Sequence, residues 1–399
     1  MKTDAVKRAL ELRDSLIKDG KILVVDFSDT LQGKDTSKVV DLMPNLATGE
    51  YVFRAKVNIK HIDPIAAGTY GVDYSDVSKM TDADIEDLVK RQEFDFPLWY
   101  KYEDGFEMKK VLDYNLPFIV QLAGCNFHDG SETGGCWYCF VDNKSNNGMP
   151  GPGKTYLDPE DAVDSMLSAA EDIKKIYKEK GADLDMKVFR FSGGEPTIAL
   201  DWLLAVWRCI EKDGLDFVGQ LDSNLSTAPV VERFERKGFY EPNILRKLAD
   251  YPIKVLTALK GTDYYSLCSN VQSNTTMEIQ KRSIKNFLNA GFDIYPQMYN
   301  PNPATLRSFL EDMDAIIGNF SMRIHIGPLK VYGPNSQRLR LEAESRGLSS
   351  KDFVRTHKEE WDSNYAQSCE IMDSYLRERY GVGYKDSVRS DVPLVLNFK

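Results

Sequence analysis

The alternation of strand-like and helix-like segments between residues 117 and 326 constrains the fold of this chain more than any other feature. Short apolar runs typical of buried strands occur near 118–123, 187–191, 216–222, 253–259, 292–298 and 322–326. Segments with helical periodicity separate them, near 158–177, 198–213, 229–249, 276–290 and 303–317. Strand–helix repeats of this kind favour parallel strands joined by right-handed crossovers. We therefore predict an α/β protein whose core is a partial (β/α)6 TIM-like barrel, with an open doubly wound sheet as the alternative.

Local signals agree with these boundaries. Asp158 and Asn302 are each followed by a proline, which is the pattern of an N-cap residue before the first helical position. Gly214, Gly291 and Gly318 stand where helices are expected to end. In such barrels the chemistry lies at the carboxyl ends of the strands. A cysteine, a glycine pair and four polar residues fall at or next to these predicted ends: Cys125, Gly193, Gly194, Asn224, Lys260, Gln297 and His325.

The segments on either side of this core have a different character. Residues 1–112 predict a mixed α+β extension, with an amphipathic helix over 4–19 and strands at 22–27 and 53–59. Residues 331–399 are charged and predict a helix over 351–378. We therefore divide the chain into an N-terminal α+β extension (1–112), a core barrel (113–330) and a C-terminal, partly helical extension (331–399).

Charge and hydropathy limit the classes of partner. The 399 residues contain 51 Lys+Arg against 61 Asp+Glu, a formal net charge of −10. A protein that grips phosphates usually has a basic surface, so nucleic acid is an unlikely partner on these grounds. No run of 18 or more apolar residues predicts a membrane span, and the charged first ten residues lack a signal-peptide core. We expect a cytoplasmic protein without membrane contact.

Three of the six cysteines are clustered, in the pattern C-x10-C-x2-C. Cys125, Cys136 and Cys139 lie on the loop that follows the first predicted barrel strand. Three thiolates can hold three irons of a [4Fe–4S] cluster and leave the fourth iron without a protein ligand. The alternatives are three unrelated buried thiols or a structural zinc site, for which His128 or His325 would supply the fourth ligand.

A glycine pair follows the next predicted strand. The segment Ser192-Gly-Gly-Glu-Pro196 comes directly after the apolar run at 187–191. Since glycine has no Cβ, the backbone of Gly193 and Gly194 can come close to a ligand. The alternative is an ordinary strand–turn–helix connection in which Pro196 opens the helix.

Together these two motifs resemble those of the radical S-adenosylmethionine (SAM) superfamily. The usual family spacing is C-x3-C-x2-C, and here residues 126–135 lengthen the first gap. The resemblance implies a [4Fe–4S] cluster held by Cys125, Cys136 and Cys139, with SAM as the second cofactor. It further implies reductive cleavage of SAM to a 5′-deoxyadenosyl radical that abstracts hydrogen from a substrate. No cobalamin-binding Asp-x-His-x-x-Gly signature and no second cysteine cluster are present.

The resemblance also suggests which residues contact SAM. Tyr138 matches the aromatic position that lies against the adenine, and the Gly-Gly-Glu turn matches the motif that binds the methionine end. Ser223 and Asn224 occupy a polar strand end, and Leu259-Lys-Gly261 resembles the strand end of glycyl-radical activating enzymes, with Ala258 in place of the acidic residue. The predicted SAM-binding residues are therefore Tyr138, Gly193, Gly194, Glu195, Ser223, Asn224 and Lys260. For Tyr138, Ser223 and Asn224 the alternatives are core packing or turn capping.

The sequence does not name the substrate or a catalytic side chain. A small metabolite and a peptide or protein residue are both compatible with it, and a low-potential donor such as ferredoxin or flavodoxin would supply the electron. Arg190 either pairs with Glu195 or faces the substrate. Loop 126–135, with His128 and Asp129, either helps to cover or select the substrate or is a solvated loop with no role. The competing hypothesis from another class is a non-enzymatic iron–sulfur or zinc protein that acts by binding a partner.

Overall fold

The computed structural model describes residues 3–26, 42–45, 50–53, 81–84, 110, 113–114, 117–179, 183, 185–387 and 392–397. The strand predicted at 53–59 lies outside these residues except for Phe53, which ends a short strand.

An 11-stranded sheet forms the framework, and a second sheet has two strands. In chain order the strands are β1 (Ile17–Lys18), β2 (Lys21–Val25), β3 (Leu42–Asn45), β4 (Glu50–Phe53), β5 (Phe118–Leu122), β6 (Lys154–Leu157), β7 (Val188–Gly193), β8 (Val218–Ser223), β9 (Ile253–Leu259), β10 (Asp293–Tyr299), β11 (Ile317–Gly318), β12 (His325–Gly327) and β13 (Val395–Leu396). The small sheet consists of β11 and β13.

Six strands of the large sheet form a continuous parallel row in the order in which they occur along the chain, and β3 pairs in parallel with β5 at Leu42 and Phe118. β5 pairs with β7, β7 with β8, β8 with β9, β9 with β10 and β10 with β12, all in parallel. This is the arrangement that repeated right-handed strand–helix–strand units produce. The predicted α/β class and parallel sheet are confirmed, and the closure of this sheet into a partial barrel remains a prediction.

Helices connect the strands close to where the sequence places them. Their bounds are α1 (Ala5–Leu16), α2 (Asn143–Asn146), α3 (Pro159–Glu179), α4 (Leu200–Lys212), α5 (Ala228–Arg236), α6 (Ile244–Ala249), α7 (Tyr264–Val271), α8 (Met277–Ala290), α9 (Pro303–Ile316), α10 (Phe320–Arg323), α11 (Gly333–Ser345) and α12 (Ser350–Tyr380). The single helix predicted at 229–249 is wrong, because the chain is broken there by Gly238 and Asn243, both with positive φ. None of the described helices has the length and apolar character that a membrane crossing requires.

The flanking regions pack onto the core at its carboxyl edge. β2, from the N-terminal region, pairs antiparallel with both β5 and β6 in the large sheet. The Ala5 amide donates to the Asn274 carbonyl, 3.0 Å away, which ties α1 to the loop after α7. At the other end of the chain, Trp361 of α12 is buried in a cluster with Phe127 and Tyr138 of the cysteine loop. Both ends of the chain therefore contribute to the surroundings of the predicted site, while the division into three domains remains a prediction.

Candidate functional site

The carboxyl ends of neighbouring strands bring the sequence motifs together. Because β5, β7, β8 and β9 are parallel and adjacent, their following loops leave the same edge of the sheet. The loop after β5 carries Cys125, and the turn after β7 carries Gly194. The loop after β8 carries Asn224, whose amide Nδ2 lies 3.7 Å from the Cys125 sulfur. Lys260 follows β9.

The glycine turn is bonded directly to the strand and loop that carry Cys125. The Gly194 amide donates to the Leu122 carbonyl at 3.0 Å, and the Glu195 amide donates to the Gly124 carbonyl at 2.9 Å. A Cβ on Gly194 would lie 1.7 Å from the Gly124 carbonyl oxygen, and Gly193 has φ of +101°. Glycine is required at Gly194 because the cysteine loop itself occupies the space of a side chain. This contact differs from the ligand approach that the sequence suggested as the reason for glycine.

Glu195 joins the ends of β7 and β8 through a fully buried carboxylate. One carboxylate oxygen accepts from the hydroxyls of Thr197 and Ser223, the latter at 3.1 Å. The other carboxylate oxygen accepts from the backbone amide of Asn224 at 2.7 Å. Burial raises the pKa of the Glu195 carboxyl to about 7, against the hydrogen bonds that favour its charged form. The side chains of Glu195 and Ser223, both predicted to contact SAM, are thus engaged with each other inside the protein.

This raised pKa predicts a pH dependence of stability. The folded-state pKa of about 7 lies above the usual carboxyl value of 4.5. The contribution of Glu195 to folding is therefore fully present below pH 4.5 and is lost as the pH rises through 7. Replacement by glutamine, which can accept from Asn224 and donate to the two hydroxyls, should remove this dependence. Between about pH 5 and about pH 8, we expect the free energy of unfolding of the wild type to fall. This fall should exceed that of Glu195→Gln by up to about 3 kcal/mol. Urea unfolding of both proteins across this range measures the difference, and parallel curves would contradict the assignment.

The three predicted metal-ligating thiols are electrostatic neighbours. Cys136 is buried, Cys125 and Cys139 are half-buried, and none forms a disulfide. Burial raises the pKa of the Cys125 thiol, and the nearby Cys136 and Cys139 sulfurs raise it further. Burial likewise raises the pKa of Cys136 to about 11, opposed chiefly by the positive charge of Lys260. Cys125 and Cys136, whose ionisation is disfavoured by burial and by neighbouring sulfurs, need a positive centre nearby to be thiolates together.

Two carboxamides point their N–H groups at these sulfurs. Asn224 lies next to Cys125, as described above, and the Nδ2 of Asn146 in α2 lies 3.6 Å from the Cys139 sulfur. Asn224 is held in place by a hydrogen bond of 2.9 Å to the side-chain oxygen of Asn126, which is itself fully buried. Of these three, the sequence analysis singled out Asn224 alone.

The lengthened loop 126–135 is fixed by contacts with several helices. Gln272 donates to the carbonyls of Thr133 and Gly135, and Ser273 donates to the carbonyl of Phe127. Arg8 of α1 donates to the carbonyl of His128 at 3.2 Å. These bonds connect the loop to segments more than 100 residues away in the sequence.

His128 and Asp129 organise the loop internally. The Nδ1 of His128 accepts from the Gly130 amide at 3.0 Å, and burial lowers the pKa of the imidazole to about 4. Asp129 accepts from the amide and the hydroxyl of Ser131. Both side chains therefore serve the conformation of the loop, and its covering of a substrate stays a prediction.

Lys260 and Tyr138 meet beside the cysteine loop. The Lys260 ammonium lies 5.3 Å from the Tyr138 ring centroid and 5.1 Å from that of Tyr299. Among the described residues no carboxylate pairs with Lys260. The Tyr138 hydroxyl is buried and has no hydrogen-bond partner within the part of the chain that the structure describes. A cation and an unsatisfied hydroxyl beside three thiols fit a site that receives a polar ligand.

The remaining polar candidates fall on the strands. Arg190 of β7 pairs with Asp222 of β8 at 2.7 Å, which answers the question left open by the sequence: its partner is not Glu195. Gln297 and His325 are register neighbours on β10 and β12. The Gln297 side chain accepts from the Tyr299 hydroxyl. Arg190, Gln297 and His325 thus lie within parallel strands of the large sheet.

Within the described ranges, no group of three or more His, Cys, Asp and Glu side chains is arranged to hold a metal ion. A cluster with three protein ligands attaches each thiolate to a different iron, so it needs three neighbouring sulfurs around a larger centre. The donor set fits that group in three respects: neighbouring thiols that are buried or half-buried, amide donors to two of the sulfurs, and a cation nearby.

Comparison with known proteins gives little beyond this geometry. No family model matches the chain, and no curated protein matches it. Among solved structures, one similar chain is that of the cobalamin-dependent S-adenosylmethionine radical enzyme OxsB with aqua-cobalamin bound. The sequence identity is 11% and the TM-score is 0.38, and the match covers 61% of this chain and 37% of that chain. A likeness of this strength carries no argument about fold or function.

Proposed function

We propose that this chain is a radical SAM enzyme that binds a [4Fe–4S] cluster through Cys125, Cys136 and Cys139. The observation that carries the proposal is the direct bonding of the glycine turn to the cysteine loop, through the amides of Gly194 and Glu195. Two motifs that are far apart in the sequence thereby become one structural unit. A site that must hold a cluster and a second ligand against each other needs this proximity.

The cluster, when bound, would supply the electron that cleaves SAM to a 5′-deoxyadenosyl radical. The protein's own contribution is to hold three sulfurs and to direct donors and cations at them. Asn146 and Asn224 donate toward sulfur, which stabilises thiolate over thiol. Lys260 favours the ionised form of Cys136.

The residues that remain available for SAM are those whose polar groups are not used within the protein. Lys260 offers a positive charge for a carboxylate, and Tyr138 offers a ring face and an unsatisfied hydroxyl. The Gly194 amide and the Asn224 side chain are already bonded within the protein, so these residues, together with Gly193, would act by shaping the turn beside SAM. Glu195 and Ser223 act through the turn, because their side-chain oxygens bond to each other.

The final substrate is proposed as a small molecule or a residue of a peptide or protein, with an electron donor of the ferredoxin or flavodoxin type. The second functional class, a non-enzymatic iron–sulfur or zinc protein, predicts the same three ligands but no SAM chemistry.

Anaerobic reconstitution of the full chain with iron and sulfide separates these possibilities. We expect visible absorbance of a [4Fe–4S] cluster, an EPR signal of the reduced cluster that SAM perturbs, and 5′-deoxyadenosine after reduction with dithionite. A cluster whose EPR signal is unchanged by SAM would identify the non-enzymatic class. A protein that is expressed and purified with both iron and zinc available, and that retains zinc, would refute the proposed [4Fe–4S] cluster.

A further inference from the structure

We propose that Arg338 is a positioning residue that supplies the fixed counter-charge for the thiolate-bound cluster. The inference rests on the function proposed above and adds a component from outside the predicted core. Arg338 belongs to α11, in the C-terminal region, and its side chain is completely buried. Arginine is almost never fully buried unless it is paired.

The guanidinium of Arg338 binds the turn that carries two of the cysteines. It donates to the carbonyls of Cys136 and Cys139, both at 3.0 Å. Further bonds reach the carbonyls of Gly134 and Val141 and the side-chain oxygen of Asn143. A planar group with five donors is suited to gathering several carbonyls of one turn, and lysine is not.

These acceptors are neutral dipoles, so they satisfy the hydrogen bonds and leave the charge uncompensated. Among the described residues no carboxylate forms an ion pair with Arg338, whereas Arg13, which is also buried, pairs with Asp201 at 2.5 Å. An unpaired buried charge costs several kcal/mol, and such a charge persists where an anion lies close by. The candidates for that anion are the Cys136 and Cys139 sulfurs, because they belong to the two residues whose carbonyls accept from the Arg338 guanidinium.

A [4Fe–4S] centre held by thiolates gains negative charge on reduction, and a nearby fixed cation favours that state. Net charge and hydrogen bonding around the sulfurs are what set the potential of such a centre. Arg338 should therefore raise the midpoint potential of the cluster and should stabilise the loaded protein more than the protein without iron. A clamp that acted through geometry alone would affect both forms equally.

The test compares Arg338→Gln and Arg338→Lys with wild type and with the control Arg13→Gln. Each full-length protein is unfolded thermally before and after reconstitution with iron and sulfide, and its midpoint potential is measured by EPR-monitored titration. We expect Arg338→Gln to show a more negative midpoint potential and a smaller rise in Tm on reconstitution. Arg338→Lys should keep the wild-type potential while losing Tm in both forms. Arg13→Gln should lose Tm in both forms without a change in potential.

An unchanged potential and an unchanged Tm gain in Arg338→Gln would overturn the inference, as would equal potential shifts in the lysine and glutamine variants. Should Arg338→Gln take up no cluster, uptake by Arg338→Lys supports the role of charge, and failure of both variants refutes it. Failure of the wild type to take up iron would refute the proposed function, and the inference with it.

Discussion

Replacing any one of Cys125, Cys136 and Cys139 by alanine is expected to abolish both cluster retention and SAM cleavage. A cluster with two protein thiolates is labile, so the loss of any one of the three sulfurs is expected to release the iron. The loss should be complete within detection in iron content, in the absorbance of the cluster and in the yield of 5′-deoxyadenosine. The same measurements on all three variants test whether the three cysteines act as one ligand set.

The control for these variants is Cys209→Ala. Cys209 is a half-buried cysteine of α4 that packs at the edge of the main hydrophobic core, remote in sequence from the cysteine loop. Wild-type iron content is expected there, with at most a modest loss of stability. Full 5′-deoxyadenosine production by Cys125→Ala would show that the ligands have been wrongly identified.

The second large effect is expected for Gly194→Val. Its Cβ would lie 1.7 Å from the Gly124 carbonyl oxygen and 2.8 Å from the Cys125 amide nitrogen, so the cysteine loop would have to move. Forcing atoms into such a packed position costs about 1–3 kcal/mol or more, and here the strain falls on the residue before Cys125, a proposed iron ligand. We therefore expect loss of iron together with loss of SAM affinity and a lowered Tm.

Gly151→Val is the matched control, because a Cβ at that position meets no atom within 4 Å and its φ is not positive. Calorimetric Tm, iron per chain and the dissociation constant for SAM are measured for both variants. Gly194→Val with normal iron content and weakened SAM binding would mean that the turn contacts the cofactor without supporting the cysteines. Normal values for all three quantities would contradict the structure at this turn.

The parallel sheet could be predicted because its signals are local. Apolar runs mark β7 to β10 within two residues of their observed ends, and the Asn302-Pro303 start predicted α9, where the Asn302 side chain accepts from the Ala304 amide. The error at 229–249 was also local, since Gly238 sat inside an otherwise convincing helical pattern. Its positive φ ends α5, and periodicity alone does not reveal that.

The residues of the candidate site could be predicted where they form a short motif in the sequence. They could not be predicted where a residue reaches the site from a distant part of the sequence. The cysteines and the glycine turn are short patterns that can be read directly. Arg338 and Asn146 carry no such signal, because what defines each is the atom that it contacts after folding. Arg190 illustrates the same limit: its charge was evident, but the choice of Asp222 over Glu195 depended on the register of β7 and β8.

The bonds that Arg338 makes to the cysteine turn also set an order of events during protein synthesis. Arg338 follows Cys136 by 202 residues, so the ribosome must add all of them before these bonds can form. Until then the turn has emerged with its thiols but without the guanidinium that gathers its carbonyls. Contacts of such long separation form late, since closing the intervening chain is entropically costly. The proposed uptake of iron would therefore follow translation of the C-terminal helices, and we expect the thiols of a nascent chain truncated before α11 to be more readily oxidised.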